Sequence, residues 1–261
     1  MAAFSASSVL GVPFGYYLAQ LYHWHAPFLL LGGLGIIILI AQIRYLPKMT
    51  EHLTGEVPKN RRLQILINLW KDSYQQRAML FMVLLMLGQF TIVPFIAPYM
   101  ERNVGFEGNE ITLIYLLGGG ITLFTGPMIG RWADKIGHQK TYVIFALLNL
   151  IPIYLITNFP RSPIGYALLV TSLFFVTSSG RYIPAQTLMT SVVRKENRGS
   201  FMNIISSVQQ MGASLSSFIA GLIVIENPVS KELDRYEYAG YIAIVGSILA
   251  ILVSRTIRGK H

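Results

Sequence analysis

The sequence predicts an all-α protein, a polytopic helical bundle in a membrane, and three observations carry that prediction. Of the 261 residues, 53% are hydrophobic and only 13% are charged, and the mean hydropathy is +0.51. A soluble domain carries about 25% charged residues, and half that share cannot cover a globule with polar surface. Eight stretches are long and apolar enough to cross the hydrocarbon core, a crossing that takes about 20 helical residues. These are roughly 2–22, 26–46, 78–99, 111–131, 141–158, 165–193, 201–224 and 239–257. Strands of a membrane barrel would be shorter and alternate in polarity, and these stretches do neither. The third observation is where the basic residues fall. With the first stretch running from the cytoplasm outward, 16 of the 21 Lys and Arg residues lie on the cytoplasmic side, as the positive-inside rule requires.

Along the chain, the first stretch has no basic leader and is interrupted by Gly and Pro, and a second follows almost at once, so it reads as a span rather than a signal peptide. Between these two lie His23, Trp24 and His25. Two histidines without a cysteine or an acidic cluster make no metal site, and Trp24 suits the membrane interface. The polar stretch 45–76 carries Leu63, Leu66, Ile67, Trp70 and Tyr74 at helical spacing, which fits either a helix lying on the membrane surface or a solvated linker. In the third stretch Pro94 and Pro98 are expected to break the helix near its outer end. The sixth exceeds a straight crossing and contains Pro184, which predicts tilt or a bend. The organisation expected is a hairpin at 1–46, a linker at 47–76 and a block of six spans at 77–261.

Several functions are excluded. The absence of cysteine removes disulfides, thiolate metal sites and cysteine catalysis. The net charge of +9 is a topology signal, and no basic–aromatic patch points to nucleic acid. No carboxylate pair, nucleophile–base arrangement or phosphate loop falls inside a span, so no enzyme is indicated and no cofactor is expected. Polar side chains within hydrocarbon are costly and therefore informative. Arg181 lies 13 residues before Arg194, about 20 Å along a helix, too far for its side chain to reach the headgroups. It needs carbonyls, a carboxylate or an anionic ligand, in a cavity role or as a tie within the bundle. Gln89, Thr91, Tyr115, Gln186, Gln209 and Gln210 are candidates for a substrate cavity or for helix–helix hydrogen bonds, and Asn149 is expected to bond between helices. Tyr115 precedes Gly118, Gly119 and Gly120, which allow close packing.

The segment "GRWADKIGHQK" interrupts this apolar chain at Gly130–Lys140. Asp134 is placed to cap the helix that begins near Thr141 and to favour its positive end. The pattern in Gly130, Asp134, Lys135, Gly137 and Lys140 resembles the loop signature of the major facilitator superfamily, in the copy found between spans eight and nine. Trp132, His138 and Gln139 depart from the usual residues. "SSVLGVPFGYYLA", with Gly11, Pro13 and Gly15, is similar to the fifth-span motif of antiporters in that family, with Ala and Ser at the earlier glycine positions. "WHAPF" at Trp24–Phe28 resembles the entry to span six, with His25 in place of Arg. Gly180–Gly221 resembles spans ten and eleven of the twelve-span drug and sugar efflux branch.

The resemblance implies the major facilitator fold, with about eight transmembrane helices equivalent to spans five to twelve. Spans one to four are then expected in an intact protein, and this chain reads as lacking them. Spans seven, eight, ten and eleven would line the cavity. The resemblance further implies efflux of a small-molecule substrate by alternating access, driven by a proton gradient, in the cell membrane with the C-terminus cytoplasmic. A truncated remnant or assembly partner without transport is the alternative. No Asp or Glu lies inside the eight stretches, so a coupling carboxylate is expected in the missing spans. The loop around Asp134 would hold span eight against span five, at residues 2–8. The lipid bilayer is the other expected partner.

Overall fold

The computed structural model describes residues 11–45, 72–193 and 198–257. The expected surface helix or linker, apart from its ends, and the loop's expected partner at residues 2–8 lie outside them. Two helices, α1 (Val12–Leu21) and α2 (Ala26–Tyr45), form an initial hairpin. Then come α3 (Ser73–Phe90), the short α4 (Val93–Tyr99) and a π-helical turn, Met100–Val104. Four long helices follow: α5 (Gly108–Ile136), α6 (His138–Thr157), α7 (Ile164–Ser191) and α8 (Arg198–Ile223). A two-stranded antiparallel hairpin, β1 (Ile225–Glu226) and β2 (Leu233–Asp234), leads into α9 (Tyr236–Ser254).

Local signals start these helices. Asp72 caps α3 by accepting the Tyr74 amide at 3.0 Å. Glu107 and Glu110 form a reciprocal capping box at the start of α5, which satisfies two amide donors that a helix end leaves free. Pro184 does not end α7, which is helical on both sides of that residue.

Five helical segments of the described residues are long and apolar enough to cross a membrane: Ala26–Tyr45, Ser73–Val104, Gly108–Ile136, His138–Thr157 and Tyr236–Ser254. Of the other expected spans, α7 and α8 have the length, at 28 and 26 residues. Their hydropathy is lowered by serine, threonine, glutamine and Arg181. The described part of the first span, α1, has 10 residues.

Packing repeats within the chain. Helix α6 packs on α7 as α9 packs on α3; α5 packs on α7 as α8 packs on α3; and α6 meets α9. Exchanging the first three long helices for the last three therefore reproduces the arrangement. Because three crossings separate α3 from α7, the two triplets run in opposite directions, an inverted repeat. Helices α6 and α9 form a back layer, α3 and α7 stand before it, and α5 and α8 flank them. Helix α1 packs on α2 and on α5.

Two apolar clusters fill the bundle. One, towards the α5–α6 turn, gathers Phe81, Met82, Leu85, Tyr142, Met189 and Phe201. The other, towards the β-hairpin, gathers Ile92, Ile96, Ile153, Phe174, Tyr236 and Ala243. Between them runs a belt of buried polar groups that includes Arg181, Asn149, Thr177, Ser178 and Ser247. Asn149 bridges α6 to α7 as expected, donating to Thr177 Oγ1 at 2.7 Å and Ser178 Oγ at 3.2 Å.

Candidate functional site

The break in the third span organises the polar belt. Helix α3 stops at Phe90, two residues of turn follow at Thr91 and Ile92, and Pro94 then opens α4. The break thus falls just before Pro94, while Pro98 is accommodated inside α4. A helix end frees carbonyls, and Pro94 has no N–H to offer Phe90. Five carbonyls at the break have donors. The Leu87 carbonyl accepts from Thr91 Oγ1 at 2.8 Å, and that of Gly88 from Arg181 Nη2 at 2.9 Å. The Gln89 carbonyl accepts from the Ile92 amide at 3.1 Å. Phe90 is served by Ser217 Oγ at 3.3 Å and Ile92 by Tyr236 Oη at 2.9 Å. A broken helix inside a membrane persists only when its backbone is satisfied in this way.

Arg181 belongs to that scheme. It is 1% exposed, and besides Gly88 it donates from Nη1 to Ser247 Oγ at 3.0 Å. Its side chain therefore points back from α7 towards α3 and α9. No acidic side chain pairs with it among the described residues, and its Nε, like the nearby Tyr142 hydroxyl, has no hydrogen-bond partner. Gly88 makes the approach possible, since a Cβ there would meet Ser247 Oγ and lie 2.9 Å from Arg181 Nη1.

Tyr182, the next residue along α7, turns by about 100° and faces another way. It accepts from Gln186 Nε2 at 2.6 Å and donates to Gln209 Oε1 at 3.1 Å. Helix α8 packs on α3 rather than on α7, so this relay crosses over α3, on the side away from the back layer. Gln186 and Gln209, separate candidates in the sequence, are thereby joined. Tyr182 was not singled out there, although its i,i+4 spacing to Gln186 puts the two on one helix face. Gln210 is exposed on α8.

The remaining candidates stand apart. Gln89 keeps a buried Oε1 without a partner, and Thr91 is fully buried against its own helix. Tyr115 lies against Phe175, with ring centroids 5.8 Å apart, and beside the Ala97 backbone. Gly11, Pro13 and Gly15 open α1, which packs on α5.

The segment 130–140 is almost wholly helical. Helix α5 continues to Ile136, α6 starts at His138, and Gly137 alone turns the chain, with φ +97°, a value glycine adopts without strain. This corrects the expected loop and its cap. Gly130 lies inside α5, and Asp134 lies in its last turn, making no hydrogen bond to the α6 amides. Its exposed carboxylate instead sits 3.6 Å from His138 Nε2. Lys135 and Lys140 are exposed. Gln139 donates to Ser254 Oγ at 2.9 Å, tying the turn to α9.

At the opposite end, three connections brace one another. Asn103 in the π-helical turn bonds both backbone groups of Leu233, accepting its amide at 2.9 Å and donating to its carbonyl at 2.9 Å. Arg102 pairs with Glu226 at 2.6 Å and Arg161 with Glu232 at 2.9 Å. The Arg102 guanidinium holds the Glu226 carboxyl below the usual carboxylate range. Nothing in the sequence pairs Asn103 with a residue 130 positions away.

Comparison with known proteins agrees with this arrangement. The family model described as Major Facilitator Superfamily matches residues 1–93 and 78–260. The chain is 22% identical over 252 residues to the uncharacterized MFS-type transporter YtbD of Bacillus subtilis (strain 168), covering 94% of this chain and 60% of that protein. It is 24% identical over 253 residues to the uncharacterized MFS-type transporter YbcL of the same organism, covering 96% and 61%. The chain thus spans about three fifths of the length of these curated relatives. With helices able to cross a membrane several times over and a family match along nearly its whole length, this multi-pass membrane chain belongs to the Major Facilitator Superfamily.

Proposed function

We propose that the protein is a secondary active transporter of a small organic solute, of drug or sugar type, working as an efflux proton antiporter by alternating access. The observation that carries this reading is the inverted repeat, with a polar relay on the side away from its back layer. Family membership supplies the transporter class, and the Gln186–Tyr182–Gln209 relay offers polar groups on the side away from the back layer. In inverted-repeat transporters the substrate site lies near the membrane midplane at such a surface. No Asp or Glu lies within the eight apolar stretches, so the proton-coupling carboxylate would come from a segment outside this sequence. The excess of Lys and Arg at the α5–α6 end supports a cytoplasmic C-terminus in the cell membrane.

Proteoliposomes with an inside-acid pH gradient and a trapped pH dye test the proposal. Collapse of the gradient that begins on adding solute, and that protein-free liposomes do not show, is the expected result. A chain that inserts and folds but gives no coupled flux with any solute would favour the alternative, a non-transporting remnant or assembly partner.

A further inference from the structure

The face that carries the relay is electrically neutral, and that restricts what it can hold. Helix α8 separates three stripes. Ile205, Ala213, Ser216 and Ala220 are buried, Gly212 meeting Met86 of α3. Met211, Leu215, Phe218 and Leu222 form an exposed apolar stripe, suited to lipid. Asn203, Ser206, Ser207, Gln210 and Ser214 form the third, exposed and polar, and it adjoins Gln209 on the relay side. None of these side chains is charged. Arg181, the only ionisable group other than tyrosine in the middle of α7, is turned into the back of the bundle on Gly88 and Ser247.

The relay has a defined chemistry. Tyr182 uses one Gln186 N–H and the Gln209 carbonyl, leaving a carbonyl at the Gln186 end and an NH2 group at the Gln209 end. Reversing every bond exchanges the ends but still offers one carbonyl and one NH2. An ion moved onto this face would lose hydration without gaining an opposite charge, which is strongly unfavourable. A neutral solute with both donors and acceptors would replace its water contacts one for one.

We propose that the Gln186–Tyr182–Gln209 relay and the adjoining α8 stripe are the specificity surface of this half of the site, selecting an uncharged solute that carries hydrogen-bond donors and acceptors. This rests on the transporter reading for its purpose, but not for its test. The full chain in lipid nanodiscs is titrated with three probes of matched size: p-nitrophenyl glucoside, its anionic glucuronide and its cationic glucosaminide. The glucoside should bind at least tenfold more tightly than either charged probe. Gln186→Leu and Gln209→Leu should each weaken it about fivefold to tenfold, the effect of one hydrogen bond. Tyr182→Phe, which keeps both amides and the ring, should weaken it similarly while leaving the unliganded melting temperature within a few degrees.

Equal or tighter binding of a charged probe, binding insensitive to all three substitutions, or no binding of the glucoside would each overturn the proposal. Binding with this selectivity but no proton-coupled flux would remove the transport reading and leave the surface assigned. Coupled flux of an organic cation, indifferent to Gln186 and Gln209, would do the reverse.

Discussion

Replacing Arg181 by Met and by Lys separates the value of its charge from that of its hydrogen bonds. Methionine keeps most of the stem volume but leaves the Gly88 carbonyl without a donor, at a cost of about 1–3 kcal/mol. Ser247 loses little, because its hydroxyl can turn to a carbonyl of its own helix, as Ser216 does towards Gly212. Losing a buried charge returns part of the several kcal/mol taken by desolvation, so Arg181→Met should destabilise by about 1–2 kcal/mol. Lysine keeps the charge, but a point donor on a shorter reach cannot fork between α3 and α9. A buried charge stripped of its partners costs about 3–5 kcal/mol, and loss of its proton at neutral pH limits that to about 4–5 kcal/mol. Arg181→Lys should therefore be less stable than Arg181→Met by about 2 kcal/mol. Denaturation followed by circular dichroism in one detergent measures both. If lysine proves as stable as methionine, the charge is not desolvated as the structure shows it. An unaffected Met variant would mean that the Gly88 carbonyl does not depend on Arg181.

Other outcomes follow from the same contacts. Gly88→Ala places a methyl group against Ser247 Oγ and 3.3 Å from the Ala243 carbonyl and should cost about 1–3 kcal/mol; Gly120→Ala, with nothing within 4 Å, should be neutral or slightly stabilising in the same melts. Ser217→Ala should cost about 1 kcal/mol, and in a Pro94→Ala background, which restores an N–H for the Phe90 carbonyl, that cost should vanish from the double-mutant cycle. The lowered Glu226 carboxyl contributes a hairpin tie that is fully present above its unfolded value of about 4.3 and lost as pH falls through the lower folded one. Hydrogen exchange at the Leu233 amide, corrected for intrinsic rate, should thus stay protected from neutral pH to about 5 and weaken only below about 4, and Arg102→Gln should move that loss upward. Since the chain has no cysteine, Phe124→Cys on α5 gives a single label. If the α5–α6 turn beside Asp134 biases the conformational balance, Asp134→Asn should change its labelling rate without moving the melting temperature; equal rates count against that role.

Span positions were legible because hydropathy is a local property, and the fit is closest for α2 and α7. Gly137 stood out as part of the loop signature, but the persistence of helix to Ile136, which moves Asp134 out of its expected cap, did not. Arg181 announced itself by depth alone. Its partners lie 93 and 66 positions away, and no spacing rule reaches that far. Tyr182 was hidden for a different reason: tyrosine is common in membrane helices, and only the crossing over α3 gives its hydroxyl two amides. The pairing of Ser217 with Phe90 needed the packing of α8 on α3, which hydropathy leaves open.

Asn103 has a consequence for anyone wishing to attach something to this protein. By bonding both backbone groups of Leu233 it behaves as a peptide unit borrowed from elsewhere in the chain, and it anchors the second strand of the β-hairpin. The tip is closed separately, with Asn227 Oδ1 accepting the amides of Val229 and Ser230, while Val229 itself is 91% exposed. A tag, spin label or antibody epitope grafted at Val229 would therefore stand on a fixed pedestal. Its displacement would report the movement of the whole bundle rather than that of a loose loop.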